Sequence, residues 1–352
     1  MIDQKSITKA WIEEVSKKNS NADKILIEKV IRAFLLLEGL GKQSLPFIFK
    51  GGTSLMLHFQ SANRFSIDID IVYLGSPDDM GSIFEKVAIE QGFIRKEKQV
   101  RASHANVPKA HYKFYYPSLI DLQKQEGSIL LDVLFEKDHY KNISKLPVQS
   151  KFIPEDGQAI NVSVPSPEDL LGDKLTAFAP ETTGIPYYKN KQSMSMEIIK
   201  QLYDIGSLFN IAEDMNIVSS TFRTFAEVEL NYRQHDDLDV EDVMDNIYDT
   251  SLHIVSNGLL GKGNYNELFK GVKRIKNYIY SESFNIEKAK IMASKAAYLV
   301  FCIKNGSKNL EKYSSPDELK DWSIDDPTFG KIQRLKRTNP EAYYYWYKIL
   351  NR

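Results

Sequence analysis

The chain of 352 residues has a single cysteine, Cys302, so no disulfide can form within it. Cys302 lies in the apolar run AAYLVFCI and reads as a buried structural thiol, which places the protein in the reducing cytoplasm. No stretch approaches the ~18 consecutive apolar residues of a membrane span, so no membrane partner is expected. The N-terminal MIDQKSITKAWIEEVSKK has neither a basic n-region nor an apolar h-region, which argues against a signal peptide. Six histidines (His58, His104, His111, His139, His235, His253) are scattered without ligand spacing, so zinc is not expected. Internal repeats and low-complexity linkers are missing too. An excess of one charge is also lacking: the formal net charge is −1, while apolar and charged contents of 42% and 26% are those of a soluble globular protein. The length allows a sizeable core and two domains.

Charge is nevertheless unevenly spread. Residues 211–250 carry eleven acidic side chains against two basic, whereas residues 262–352 carry eighteen basic against ten acidic. A basic last quarter suits an anionic polymer, and a set of solvated helix faces explains it equally well.

The most informative stretch is FIFKGGTSLMLHFQSANRFSIDIDIV, residues 47–72. It reads as a strand over residues 47–49, a turn of Gly51, Gly52, Thr53 and Ser54, a helix over residues 55–60, a polar loop and a second strand, SIDIDIV. Period-two alternation puts Ile67, Ile69 and Ile71 on one face and Ser66, Asp68 and Asp70 on the other. Two neighbouring carboxylates on a strand repel each other and call for a compensating partner, for which Mg²⁺ with its oxygen ligands is suited. The glycine turn can bring backbone amides at a helix N-terminus against a phosphate. Either half alone has an ordinary explanation, a chance DxD or a plain helix start. In this order they describe a phosphate cradle followed by a metal clamp.

Around it, residues 6–41 read as two buttressing helices, the first from Ser6 and the second ended by Gly39 and Gly41. Ser76-Pro77-Asp78-Asp79 starts a helix that stops at Gly92. FIRKEKQVRAS and AHYKFYYPS read as strands whose tyrosines and lysines fit either nucleotide contacts or a half-exposed sheet face. GSILLDVLFE is a strongly apolar strand in which Asp132 needs a metal or a hydrogen-bond partner. Beside SIDIDIV, that strand would make Asp132 the third member of a triad with Asp68 and Asp70; on an edge, Asp132 would simply face water. Ser166, Pro167, Glu168 and Asp169 form a strong helix start, followed on the same helix by Asp173 and Lys174. By residue type alone Lys174 is a surface lysine. TTGIPYYKNKQSMS reads as a mobile loop, MEIIKQLYDIGSLFNI as a helix, and residues from 211 onward as an amphipathic bundle. In the tail, Lys331, Arg334, Lys336 and Arg337 adjoin Tyr343, Tyr344, Tyr345, Trp346 and Tyr347. Such a pairing serves single-stranded nucleic acid, though an aromatic-rich last helix is usually core.

The order G-G-T/S, helix, then alternating Asp resembles the nucleotidyltransferase fold of the DNA polymerase β type. The fuller KGGTSL, RFSIDID, LLDV and LLGDKLTAF, within residues 45–208, resemble the AbiEii family of nucleotidyltransferase toxins. That resemblance implies an α/β mixed sheet flanked by helices over residues 1–165 and a helical bundle domain over residues 166–352. It implies metal ligation by Asp68, Asp70 and Asp132 with two Mg²⁺ ions, and Asp132 as the base. NTP binding falls to Lys50, Gly51, Gly52, Thr53, Ser54, Arg64 and Ser66. Lys174 is the lysine facing the nucleotide phosphates, and Asp204, one turn after Lys200, matches the last motif; by spacing alone Asp204 would pair with Lys200. Expected partners are an NTP, an RNA acceptor of the tRNA class and a cognate antitoxin, in a toxin–antitoxin or phage-defence system. A small-molecule nucleotidyltransferase or an inert nucleotide- or RNA-binding module are the rival readings.

Overall fold

Short polar caps open the first two helices. Thr8 accepts from Trp11 N to start α1 (Lys9–Lys18), and Asp23 accepts from Ile25 N and Leu26 N to start α2 (Lys24–Lys42). The segment around Ser6 is a separate 3₁₀ turn, Gln4–Ser6, so the first helix begins later than its sequence suggested. Helix α2 also runs through Gly39 and Gly41 instead of ending there. A Cβ on Gly39 would lie 2.7 Å from Gln91 Cγ and 2.8 Å from Val87 Cγ1, so this glycine serves close packing and not a stop. The structure, a computed structural model, describes residues 1–59, 64–76, 80–99, 109–121 and 123–351. The expected helix start at residues 77–79 and the stretch 100–108, with its Arg101 and His104, fall outside these.

After α2 the chain makes β1 (Phe47–Lys50), α3 (Gly51–His58), β2 (Ile69–Tyr73), α4 (Met80–Glu90), β3 (Arg95–Gln99), β4 (Lys109–Pro117), β5 (Glu126–Leu134), β6 (Ile143–Pro147) and β7 (Asn161–Pro165). The seven strands form one mixed sheet in the order β3-β4-β5-β2-β1-β7-β6, with β2–β5 and β1–β7 parallel and the other pairs antiparallel. One face carries Phe49, Ile69, Ile71, Leu131, Val133, Tyr112 and Phe114. These share a buried cluster with Val30, Phe34 and Leu37 of α2 and with Phe84 and Val87 of α4. Each such side chain contributes roughly 1.5–3 kcal/mol when fully buried, which fixes the strand register and leaves the opposite face for polar residues.

The chain divides into two units, Met1–Ser166 with Asn277–Ser283, and Pro167–Lys276 with Phe284–Arg352. The second is helical: α5 (Pro167–Ala177), α6 (Ser195–Ile211), α7 (Met215–Arg233), α8 (Val240–Val255), α9 (Tyr265–Arg274), α10 (Ile286–Lys304), α11 (Gly330–Thr338) and α12 (Pro340–Leu350). The stretch expected as a mobile loop folds instead as a small hairpin, β8 (Tyr188–Lys189) with β9 (Gln192–Ser193), and both Thr182 and Thr183 are buried. Cys302 is buried as expected. The tail aromatics are core: Tyr343, Tyr344, Tyr345 and Trp346 are buried, with Tyr345 edge-on to Phe209 at 5.3 Å and Trp346 to Tyr248 at 5.5 Å. Bases cannot stack on these four rings, so the core reading of that helix holds and the nucleic-acid alternative falls for them. Among the described residues, no helix is long and apolar enough to cross a membrane.

Candidate active site

A row of four polar side chains crosses the sheet. Lys50 on β1 is the register partner of Asp70 on β2, Asp70 of Asp132 on β5, and Asp132 of His111 on β4. Directly paired residues point to the same side of a sheet, so a cation, two carboxylates and an imidazole stand side by side. Because β5 lies between β4 and β2, Asp132 is not on an edge. His111 Nδ1 is 2.7 Å from Asp132 Oδ1, with the two side chains 20% and 35% exposed. Like charges directly opposite each other destabilise a sheet, so the Asp70–Asp132 pairing has a chemical and not a packing rationale.

The glycine turn closes against this row. Gly51 has φ +77°, and a Cβ there would lie 2.1 Å from Asp70 Oδ2; a Cβ on Gly52 would lie 2.7 Å from Ser66 Oγ and 2.8 Å from Arg64 Nη2. Only glycine combines that backbone conformation with that approach. The conformation also lets β1 pass straight into α3 at Gly51, four residues ahead of the expected helix start. Lys50, at the N-cap, makes no side-chain capping bond; the opening amides of a helix such as α3 are the kind of groups that an anion can bind. Thr53 and Ser54 are fully buried; Thr53 Oγ1 donates to Asp68 O at 2.6 Å and Ser54 Oγ to Gly51 O at 2.8 Å. Their hydroxyls brace the turn and tie it to the segment that carries Asp68.

Asp68 lies outside the paired ladder. Strand β2 begins at Ile69 instead of Ser66, and Asp68 is exposed one residue ahead of it. The ladder therefore holds Asp70 and Asp132 in register but not Asp68. Among the described residues, no three His, Cys, Asp or Glu side chains gather closely enough to hold a metal ion. The donor chemistry nevertheless suits Mg²⁺, which is held by one or two carboxylates together with substrate phosphates and water.

Lys174 and Asp204 belong to the helical unit, where they meet each other. Lys174 Nζ is 3.0 Å from Asp204 Oδ2, with side chains 8% and 2% exposed, and donates to Gln201 Oε1 at 2.9 Å. Lys174 is thus no surface lysine. Lys200 pairs with Glu197 at 3.1 Å. Asp169, on the same helix as Lys174, is buried and accepts from Thr221 Oγ1 at 2.6 Å.

His111 is the residue that sequence reading missed. Its signal lay in the β4–β5 hairpin: Pro117 faces Glu126, and six residues outward along each strand His111 faces Asp132. Locating the turn would have been enough to align them.

The family model for the nucleotidyl transferase AbiEii toxin of type IV toxin–antitoxin systems matches residues 35–276, a span holding the whole row, the glycine turn, Lys174 and Asp204. The nucleotidyltransferase toxin MenT4 of Mycobacterium tuberculosis H37Rv is a similar solved structure, at 13% identity over 98% of this chain and 99% of that one, with a TM-score of 0.46. JHP933 of Helicobacter pylori is another, at 14% identity over 81% of this chain and 94% of that one, with a TM-score of 0.43. No curated protein matches the chain. Because the family model takes in well over half of the 352 residues, the chain belongs to the AbiEii family of nucleotidyltransferase toxins of type IV toxin–antitoxin systems.

Proposed function

We propose that this toxin transfers a nucleotide from an NTP to the 3′ end of an RNA acceptor of the tRNA class, with Mg²⁺, in the cytoplasm, and that a cognate antitoxin restrains it. The observation that carries the proposal is the row Lys50–Asp70–Asp132–His111 with Gly51 closed against Asp70. A like-charge pair beside an anion-binding helix start is what nucleotidyl transfer requires and what a merely structural sheet avoids.

In this reading the sheet unit is the nucleotidyltransferase core. Asp70 and Asp132, with Asp68 as the third ligand, would hold Mg²⁺, two ions in the full assembly. When bound, the metal supplies Lewis-acid polarisation of the phosphoryl oxygens and neutralises charge on the departing pyrophosphate. Backbone amides of residues 51–54 bind the NTP phosphates, Thr53 and Ser54 keep that turn in shape, and Ser66 lies against it. Lys50 and Arg64 add positive charge. The acceptor 3′ oxygen bonds to the α-phosphorus as the α–β bridging P–O bond breaks, and the hydroxyl proton passes to the Asp132 carboxylate, which His111 holds in one orientation. Lys174 is proposed as a cation for the nucleotide phosphates, with Asp204 orienting it. The excess of basic residues from position 262 onward, eighteen against ten acidic, favours a polyanionic acceptor over a small molecule.

The test is to incubate the protein with Mg²⁺, total tRNA and each α-³²P-labelled NTP in turn, alongside Asp70→Ala. Label entering RNA with the wild type alone is the expected result and names the nucleotide. Label on a small acceptor or on protein would keep the chemistry and remove the tRNA acceptor. No transfer to any acceptor would leave a nucleotide-binding module and overturn the proposal.

A further inference from the structure

Asn277–Ser283 lies between two stretches of the helical unit in sequence yet folds with the sheet unit. It meets the chain just upstream of Asp68. Phe65 N donates to Tyr278 O at 2.8 Å, and Ile279 forms an isolated antiparallel bridge with Arg64. The Tyr280 ring sits 4.5 Å from Phe65 and 5.5 Å from Phe152, with Lys151 Nζ 5.0 Å from its centroid. Arg64 is only 7% exposed; its Nη1 donates to Phe65 O at 2.9 Å, and its Nη2 lies against Gly52. The family model stops at residue 276, one residue before this segment.

We propose that residues 277–283 are a strap that positions the nucleotide-binding turn. Bridging fixes the backbone of Arg64 and Phe65, and the Tyr280 ring locks Phe65 from the side. Arg64 and Ser66 are thereby held against Gly52, at the mouth of the phosphate cradle. A long, rotamer-rich cation serves such a site only when its entropy has been removed beforehand, and the strap removes it. The functional consequence rests on the reading of residues 51–54 as the phosphate cradle.

The experiment compares the wild type with Tyr280→Ala, Tyr280→Leu, Tyr280→Phe, Arg64→Ala and the combination of Arg64→Ala with Tyr280→Ala. The KM and kcat for the NTP that the wild type incorporates are measured together with hydrogen exchange of peptides covering residues 47–59 and 64–73. Loss of the ring is expected to raise KM about 10- to 100-fold with a smaller change in kcat. Tyr280→Phe restores the wild-type value, and Tyr280→Ala adds little once Arg64 is Ala. A purely structural ring would lower the unfolding midpoint and the active fraction while leaving KM unchanged, and that result overturns the strap. If Tyr280→Ala does not fold, Tyr280→Leu, which keeps the apolar bulk, carries the comparison. Exchange needs no turnover. If the wild type transfers no nucleotide, faster exchange confined to these two peptides of Tyr280→Leu, with the unfolding midpoint unchanged, still supports the strap while the cradle reading falls; unchanged exchange, or faster exchange throughout the chain, overturns the strap whatever the activity.

Discussion

In the sheet unit, Asp70 and Asp132 stand side by side on adjacent strands, half-buried, with the same charge. In the helical unit, Lys174 and Asp204 stand 3.0 Å apart, almost wholly buried, with opposite charges and a glutamine completing the set. In the first arrangement the carboxylates repel each other across the strands, offset only at the ends of the row by Lys50 and His111 and by the hydrophobic face behind it; the second repays its desolvation only while both partners are present. Charge that repels where water and ligand can reach marks chemistry. Charge that is compensated under cover holds the helices, whatever else it does. The contrast predicts that substitutions in the two regions separate activity from stability.

The largest effect is expected at Asp70. Asp70→Ala should bring transfer of label to RNA below detection, a loss of at least about 10²–10³-fold. Its unfolding midpoint should stay within about 0.5 kcal/mol of wild type or rise, because Asp132 loses a like-charged neighbour. A clear loss of stability would mean that Asp70 holds the sheet, and the contrast would fail. At Asp204 the expected order is reversed. Asp204→Ala leaves a buried ammonium without its carboxylate and should cost about 3–5 kcal/mol in urea unfolding. Lys174→Met combined with Asp204→Leu should recover most of that stability. If activity stays lost in the refolded double variant, the pair also serves the phosphates as proposed; full activity would reduce it to a structural clamp.

Gly51→Ala tests the join between turn and row. The φ of +77° and the 2.1 Å approach to Asp70 Oδ2 together predict a cost of about 1–3 kcal/mol by thermal unfolding. A severe loss of activity should come with it, since the methyl group must push Asp70 out of register. A stable, active Gly51→Ala would show that the turn can withdraw from Asp70, and that the contact is incidental.

Much of this was legible before the structure. KGGTS followed by SIDID announced the turn and the carboxylates because the glycine requirement and the alternation are local properties of the backbone. Asp132 was legible because a lone carboxylate in GSILLDVLFE has no apolar excuse. His111 was not, since its significance is a register and register is set by a turn several residues away. Strand β6 escaped because ISKLP is almost wholly solvent-facing and shows no alternation. Gly39 and Gly41 looked like punctuation because a sequence does not reveal the neighbour that a missing Cβ makes room for. The aromatic helix α12 was ambiguous for the opposite reason: five rings in a row fit stacking and burial alike, and only the surrounding helices decide.

The smallest effect expected concerns those rings, and it extends the contrast to groups that are buried uncharged. Burial pushes the phenols of Tyr343 and Tyr344 up to about 12, and those of Tyr345 and Tyr298 higher still. A phenol raised in the folded state favours folding while the unfolded chain also keeps its proton. This contribution is therefore complete below the ordinary tyrosine value of about 10 and fades between about pH 10 and 12, where the unfolded chain ionises first. Of the three tryptophans, Trp322 and Trp346 lie in the helical unit, so in a Trp11→Phe background their fluorescence reports that unit alone. The urea midpoint should be level up to about pH 9 and fall from pH 10 to 11. Tyr343→Phe forfeits a hydrogen bond to Gln333 Oε1 at 3.0 Å, which costs about 1 kcal/mol at neutral pH. Its alkaline loss should nevertheless be smaller than that of the parent. If the alkaline loss is unchanged in Tyr343→Phe and Tyr344→Phe alike, these phenols do not carry it, and the helical unit tolerates ionisation in its core better than its treatment of Lys174 and Asp204 implies.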